Sequence, residues 1–469
     1  LVGGAVRDGL LGRPLQDFDF TVDGDATALA AAVGRDLRGA LVPLDQERDM
    51  ARVVFWDTGS RYYADFSRRQ GDDWNADLRA RDFTVNAIAV RPDGQYLDPL
   101  GGRGDLAAGL LRAASEPAFR DDPLRTLRAV RLSAELGLAI EAQTVDWIER
   151  DASLLPRAAA ERIRNEFARI LGAQSAVLHL QTLDALGLLT QILPELMTTK
   201  GVKQSPPHQW DVWSHTRMTV QAVEEVLAAL EGAGGAIGEL DVPGWVWEDL
   251  VKRLGALQPD LVTHLGQVVS DVRDRRFTLR LSALLHDIGK PHTRSLGDEG
   301  RIHFYNHEVV GAELAAERLR ALRFSGDEVA LVHTIILNHL RPGHLAQAKK
   351  GPTRRAIYRY YRATEGAGVE VALLSLADML ATWGPALPGQ LWLRRLNVVA
   401  TLLTAYFDRW ESVAPPPLIN GHQLMAALAL EPGPEVGRLL EAVREAQAAG
   451  KVTSGDEALA LAKQLQRDS

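Results

Sequence analysis

The sequence predicts an α+β protein, with a small mixed sheet at its N-terminal end and an all-helical remainder. Three observations carry that expectation. Short β-prone runs recur at 17–22, 51–56, 61–67 and 84–90, with an alanine-rich helical stretch at 26–38 between the first two. After Pro117 the pattern changes to long stretches rich in Ala, Leu, Arg and Glu, with apolar residues at helical spacing: Leu124, Leu127, Val130, Leu132, Leu136. At 469 residues, the chain is also too long for one ordinary domain.

Glycine and proline punctuate the head at 92–94 and 101–102, and breaks in the helical part are expected near 205–207, 232–238 and 415–417. They divide the chain into a head (1–112), a neck (113–200), a helical domain (205–412) and a helical tail (413–469). A hydrophobic share of 46% and a charged share of 24% place the protein in the globular class. The richest apolar stretch, 369–387, is interrupted by Glu370, Asp378 and Pro385, so no membrane span and no membrane partner are expected. There is no cysteine, which excludes disulfides, thiol nucleophiles and cysteine-bound zinc. Any metal must therefore be held by carboxylate and imidazole. The net charge of -8 means that an RNA partner requires a local basic surface. Leu1 stands directly before a glycine turn, so the natural start is expected to be missing, and the expected location is the cytoplasm.

The segment Gly3-Gly4-Ala5-Val6-Arg7-Asp8, followed by Asp17-Phe18-Asp19-Phe20, points to chemistry. On a strand, Asp17 and Asp19 share one face while Phe18 and Phe20 enter the core. Two carboxylates so close repel each other, and Mg²⁺ relieves that cost while bridging them to a triphosphate. A lone Asp-x-Asp is more often a solvated strand edge. The upstream glycines change the balance, because Gly3 and Gly4 admit phosphate close to the backbone and Arg7 adds a cation. Asp65, in Tyr63-Ala64-Asp65-Phe66, is a candidate third carboxylate.

This first motif resembles that of the class II tRNA nucleotidyltransferases and bacterial poly(A) polymerases, within the polymerase-beta-like superfamily. Arg81-Asp82-Phe83-Thr84-Val85-Asn86 resembles the family's second motif, in which the Arg-Asp pair meets the ribose. Asp98 to Leu106 resembles the segment between head and neck. Asp121-Asp122-Pro123-Leu124-Arg125, with Arg128 and Arg131, resembles the fourth motif, Asp121 standing in place of the usual glutamate. Glu161-Arg162-Ile163 through Glu166 resembles the fifth. The resemblance implies a polymerase-beta-like head with Mg²⁺ on Asp17 and Asp19. It also implies nucleotide binding by Gly3, Gly4, Arg7, Arg81, Asp82, Asn86, Asp122, Arg125, Arg128 and Arg131, and untemplated nucleotide addition from CTP and ATP to the 3′ end of tRNA. Asp122 and Arg125, three apart on an expected helix, would read the edge of the base. Nothing suggests a covalent nucleophile, so catalysis rests on positioning and electrostatics. Only 69–76 separate Ser67-Arg68 from Asp77-Leu78, where CCA-adding relatives carry a longer flexible loop. In the family that shortening accompanies enzymes that add two C residues and stop, so CC addition is expected over full CCA addition or poly(A) synthesis.

A second constellation lies further on: Trp213-Ser214-His215, Leu284-Leu285-His286-Asp287-Ile288-Gly289-Lys290-Pro291, Asn306-His307-Glu308, Asn338-His339 and Leu376-Ala377-Asp378. His286 and Asp287 end an apolar helical run, where a buried charge needs a partner or a metal. The run resembles an HD-type phosphohydrolase domain. That implies a divalent metal on His215, His286, Asp287 and Asp378, with His307 and His339 supporting a second, and either phosphodiesterase or phosphatase activity or a scaffold role. A hydrolase with an inactive, RNA-binding head is the alternative of another class. His179, His208, His264 and His422 are read as ordinary histidines. Basic clusters at Arg157/Arg162/Arg164/Arg169, Lys349-Lys350 with Arg354-Arg355, Arg359/Arg362 (interleaved with Tyr358, Tyr360 and Tyr361) and Arg394-Arg395 are expected to track the acceptor stem. Ile419-Asn420-Gly421-His422 and the stretch from Pro432 to Gly437 resemble the family's C-terminal, RNA-binding segment.

Overall fold

The computed structural model describes residues 1–232, 240–348 and 350–468. Its first unit comprises Leu1–Ala173 with Gln181–Ile192. A short helix α1 (Gly4–Leu10) leads into strand β1 (Asp17–Val22), helix α2 (Ala26–Asp36), and strands β2 (Ala40–Asp45), β3 (Met50–Asp57) and β4 (Ser60–Arg68). The sheet order is β1-β4-β3-β2, with β1 parallel to β4 and the other neighbours antiparallel. Helix α2 starts firmly, because the Asp25 side chain accepts from Ala28 N at 2.7 Å and Asp49 accepts from Ala26 N and Thr27 N at 2.8 and 2.9 Å. Its Ala26 and Ala30 pack on Ala51, Val53, Ala64 and Phe66, with Phe18 and Phe20 against the same cluster. One face of the sheet is thereby closed. Register then sets Asp19 beside Asp65 and Asp65 beside Arg52, on the other face.

Two stretches of the head depart from the sequence expectation, and the remainder, expected to be all-helical, contains short strands such as Arg294–Leu296 paired with Ile302–Phe304. Strand β2 is not anticipated by the pattern: it is the outer strand, exposed along nearly its whole length and containing Pro43, so it carries no alternation. The expected strand at 84–90 is instead a 3-10 turn (Thr84–Asn86) followed by two strand residues (Ala89–Val90). Tertiary bonds override its β-branched composition, as Thr84 N donates to Arg112 O at 2.9 Å and Thr84 Oγ1 to Asp105 at 2.7 Å. Below the sheet domain, helix Leu124–Leu136 packs on helix Ala160–Gly172 through buried Leu127, Val130, Ile163 and Phe167.

The second unit comprises Gln174–Leu180 and Leu193–Ser469. Helices Val212–Leu230, Arg275–Leu285, Gly326–Asn338 and Gly368–Trp383 pack around a common core. Gly289 lets the segment after His286-Asp287 lie against helix His307–Ala321, since a Cβ there would meet His307 O at 2.2 Å and Gly311 N at 2.6 Å. The last three helices, Gly421–Leu428, Pro434–Ala448 and Gly455–Arg467, bury Leu424, Leu439, Val443 and Ala458 among themselves. The expected break at 232–238 lies, beyond Gly232, outside the described residues, as does Lys349. Among the described residues no single helix is long and apolar enough to cross a membrane.

Candidate functional site

The open face of the sheet borders a cleft of about 370 Å³, lined by Gly3, Gly4, Asp19, Asp65, Arg81, Asp82, Asn86, Asp122, Arg125 and Arg128 among others. Gly3 adopts φ 69°, and a Cβ there would lie 2.8 Å from Arg81 Nη1 and 3.3 Å from Asp19 Oδ2. The missing side chain is what lets the Arg81 guanidinium sit over the turn. Burial, then the carboxylates of Asp65 and Asp17, push Asp19 above its ordinary pKa, outweighing Arg81 and Arg52. Among the described residues no hydrogen bond reaches the Asp19 carboxylate. A desolvated, crowded carboxylate without a donor is chemistry that suits a divalent cation, and Mg²⁺ asks only one or two such ligands of a protein. Asp17 is exposed on the same strand and does not line the cleft. Asp65 does, but the Arg52 guanidinium grips it at 2.7 and 2.8 Å.

Beneath the cleft runs a continuous polar network that the sequence did not foretell. Arg7 Nη1 donates to Asn86 Oδ1 at 2.6 Å, and Asn86 Nδ2 to Asp82 Oδ1 at 2.9 Å. The other Asp82 oxygen accepts from Arg128 Nη1 at 3.0 Å. Arg128 stands 3.6 Å from Glu166, which accepts from Arg131 at 2.5 Å, and Arg131 donates to Glu135 at 2.7 Å. Burial works to raise Asp82, but Arg128 and Asn86 outweigh it and hold the carboxyl below its ordinary value. The network fastens the glycine turn to helices Leu124–Leu136 and Ala160–Gly172. It also redefines two predicted residues. Arg7 and Arg131 are both buried, bonded to network carboxylates and amides, and absent from the cleft lining.

Asp122 and Arg125 reach the cleft differently from the expected helical pair. Asp122 is extended, at φ -141° and ψ 98°, while Arg125 lies in the first turn of the next helix. Pro123 explains the correction, because the residue before a proline is driven out of the helical region. The Asp122 carboxylate accepts from Arg162 at 2.9 Å, and Arg125 donates to the carbonyls of Ala80 and Ala118. A larger groove of about 910 Å³ shares Arg68, Gln70, Asp122 and Arg125 with the cleft and adds Arg48, Arg120 and Arg157.

In the second unit, His215, His286 and Asp378 form one group and Asp287, His307 and His339 another, the ligand atoms in each lying within 4.8 Å of one another. Asp287 joins them, 3.2 Å from His286 Nε2 and 3.4 Å from His307 Nε2. His286, His307 and His339 each turn Nδ1 to the carbonyl three residues earlier, at 2.8, 2.7 and 2.6 Å. With Nδ1–H donating, every Nε2 presents a lone pair to the centre. His307 Nε2 and His339 Nε2 then face each other at 3.4 Å, an arrangement a cation relieves. The buried Nε2 atoms of His215 and His286 make no hydrogen bond. Burial, then His307 and His286, lower His339 to about 3, so it is neutral and able to ligate. The donor set fits two divalent cations.

Residues 1–112 match the poly A polymerase head domain, 137–199 the probable RNA and SrmB-binding site of polymerase A, 253–383 the HD domain, and 411–462 the putative tRNA nucleotidyltransferase domain 2. The A-adding tRNA nucleotidyltransferase of Deinococcus radiodurans is 35% identical over 98% of this chain and 94% of its own. The CC-adding tRNA nucleotidyltransferase of Thermus thermophilus is 33% identical over 98% and 92%. The chain belongs to the tRNA nucleotidyltransferase family. Its fold is that of solved CCA-adding enzymes, one in complex with ATP (TM-score 0.61, 20% identity, 100% of this chain and 91% of that one) and the Thermotoga maritima enzyme complexed with tRNA (0.55, 21%, 99% and 90%).

Within this tRNA nucleotidyltransferase, sequence reasoning passed over three residues. Lys290 is buried, 2.6 Å from Asp287, and donates to Gln204 at 2.7 Å. Its place in the string His286 to Pro291 was the available signal. His208, read as ordinary, sets its ring 5.0 Å from that of His215. Burial and Lys290 lower its pKa to about 3. It lies in an irregular segment with no periodicity to reveal it. Asp49, which accepts from the first two N–H groups of α2, lies in a turn in the same way. His264, by contrast, is the ordinary buried histidine expected, paired with Glu370 at 2.9 Å.

Proposed function

We propose that the cleft on the first unit adds nucleotides from CTP to the 3′ end of tRNA without a template, in the cytoplasm. The terminal 3′ hydroxyl oxygen bonds to the α-phosphorus, the bond to the β-phosphate oxygen breaks, and pyrophosphate leaves with the electron pair. The observation that carries this reading is the convergence of Asp19, Arg81, Asp82, Asp122, Arg125 and Arg128 on one cleft from separate motifs. Asp19, with the charge of Asp17 beside it on the same strand face, would hold Mg²⁺, which when bound neutralises the triphosphate and lowers the pKa of the attacking hydroxyl. Gly3 and Gly4 admit the phosphates, Arg81 faces them, and Asp122 with Arg125 offers an acceptor and a donor fork to the base edge. Asp65, held by Arg52, sets the charge beside Asp19. The larger arginine-lined groove is where the primer end of the RNA enters.

Restriction to one base is supported by the segment between β4 and the next helix. Gln70 N donates to Asp77 at 2.8 Å, Arg69 Nη1 to Gly71 O at 2.8 Å, and Asp73 caps helix Trp74–Arg79 by accepting from Ala76 N at 2.7 Å. Arg69 is also paired with Asp23. A wall tied at so many points has no slack with which to re-form the pocket for a second base. A second reading, addition of A alone, is favoured by the name of the Deinococcus relative. Transcripts ending before CCA, and ending in CC, incubated with CTP alone, ATP alone and both, separate the cases. Two C residues and no A is expected; A on the CC-ended transcript with no C on the shorter one selects the second reading, and completion of CCA on the shorter one or long A tails would refute both.

At the second centre we propose metal-dependent hydrolysis of phosphoesters at RNA ends. His215, His286 and Asp378, with Asp287, His307 and His339, would hold two cations, which when bound supply an activated water. Lys290 offers a cation to a phosphate oxygen. Hydrolysis of bis-p-nitrophenyl phosphate that survives Asp19→Asn but not His286→Ala is the expected result; no turnover with any divalent metal assigns the centre a structural role.

A further inference from the structure

Asp77 is a buried carboxylate on the wall of the cleft, 7% exposed, and its two oxygens face different neighbours. Oδ1 accepts from Gln70 N at 2.8 Å, which ties helix Trp74–Arg79 to the segment after β4. Oδ2 makes no hydrogen bond among the described residues and stands 3.6 Å from Arg81 Nη2. That separation is a charge contact, too long for a hydrogen bond. A buried carboxylate oxygen without a donor is costly, so its place calls for a reason.

Arg81 supplies that reason. Its Nη2 donates to Thr21 Oγ1 at 3.2 Å, Asp77 stands beside the same nitrogen, and Nη1 lies over Gly3, where a Cβ would come within 2.8 Å. The Asp19 carboxylate lies at the same turn, 3.3 Å from that Cβ position, and attracts the same guanidinium. Thr21 is neutral, so it gives the guanidinium a direction and no opposing charge. Asp77 balances the pull of Asp19. With both carboxylates charged, Arg81 stays between them, its buried Nε unpartnered and Nη1 over the glycine turn. Without the charge at Asp77 the cation closes on Asp19 and takes the carboxylate that the metal needs.

We infer that Asp77 is a positioning residue for nucleotide addition, holding the Arg81 guanidinium off Asp19 and toward the triphosphate. The inference rests on the cleft being the place where the nucleotide is added. Asp77→Asn isolates the charge, because the amide oxygen still accepts from Gln70 N and the tie to the segment after β4 is kept. The test uses the full chain with a tRNA transcript lacking its CCA end. Steady-state addition from CTP and from ATP is followed at saturating Mg²⁺, and equilibrium dialysis with labelled CTP and ATP reads binding without chemistry. Asp77→Asn is expected to raise both the KM and the dialysis Kd of the nucleotide that the chain adds by about fivefold, the order of one partly screened charge, with kcat within about twofold of wild type. Added to Arg81→Gln, the same substitution is expected to raise them no further, because its effect runs through Arg81. An unchanged KM and Kd in Asp77→Asn would overturn the inference. So would an equal rise in the Arg81→Gln background, or a fall in kcat that follows a lower urea midpoint, which marks a purely structural carboxylate. A wild-type chain that adds no nucleotide, but whose Kd for CTP still weakens on Asp77→Asn and not in the Arg81→Gln background, would sink the nucleotidyl-transfer reading and leave the role of Asp77 standing.

Discussion

Asp82→Asn probes the network under the cleft most sharply. Asp82 is 8% exposed and Arg128 33%, and the substitution leaves the guanidinium facing a neutral amide. Breaking a buried pair costs about 3–5 kcal/mol; the exposure of Arg128 and its second carboxylate, Glu166, reduce that to about 2–3 kcal/mol. The loss should be local to the first unit, so urea unfolding is best followed by hydrogen exchange in helix Leu124–Leu136. Because Arg128 lines the cleft, the KM for the nucleotide should rise as well. Adding Arg128→Met, which removes the orphaned charge, should recover part of the stability but none of the activity. The pH dependence has a definite sign. Asp82 is depressed in the folded chain, so its contribution is present above the ordinary value of 3.8 and is lost as pH falls through the lower folded value. Asp82→Asn should therefore flatten the acid limb of the stability curve. A stability change below about 0.5 kcal/mol with an unchanged KM would refute the network argument.

Gly3→Ala places a side chain at φ 69° and against Arg81, so it should cost about 1–2 kcal/mol and raise the KM for CTP without changing tRNA affinity, measured by steady-state kinetics and anisotropy. His286→Ala should lower bound metal, read by elemental analysis after dialysis, while nucleotide addition persists. Glu370→Gln removes the buried partner of His264 and Arg275 and should destabilise the second unit by about 3 kcal/mol, seen in urea unfolding, with nucleotide addition intact at low temperature.

The legible parts of the fold were those where local pattern and tertiary packing agree. Alternation gave β1, because Phe18 and Phe20 face α2 while Asp17 and Asp19 do not; the apolar run to Leu285 gave the helix that presents His286. Strand β2 is illegible because it is exposed along nearly its whole length and pairs with β3 alone in the sheet. The site residues stood out by type and spacing, but their division of labour did not. Arg7 and Arg131 look like any motif arginine in sequence, and only the positions of Asn86, Glu135 and Glu166 show that they brace the cleft from beneath. Helical spacing alone puts Asp122 on a helix, whereas Pro123 drives the residue before it into extended backbone. Arg355 and Arg359, expected to track RNA, both pair with Glu445, too distant in sequence to be matched to them by inspection. Arg395, expected to face RNA beside Arg394, is instead largely buried and donates to Ser375 O at 3.1 Å.

The most direct measurement is single-turnover addition of CTP to a tRNA lacking its CCA end, comparing the wild-type chain with Asp19→Asn. The account predicts a rate lower by on the order of 10²–10³-fold or more, with tRNA binding and the metal content of the His286 centre unchanged. Addition at the wild-type rate would contradict it, and would place the chemistry of this chain somewhere other than the face of β1.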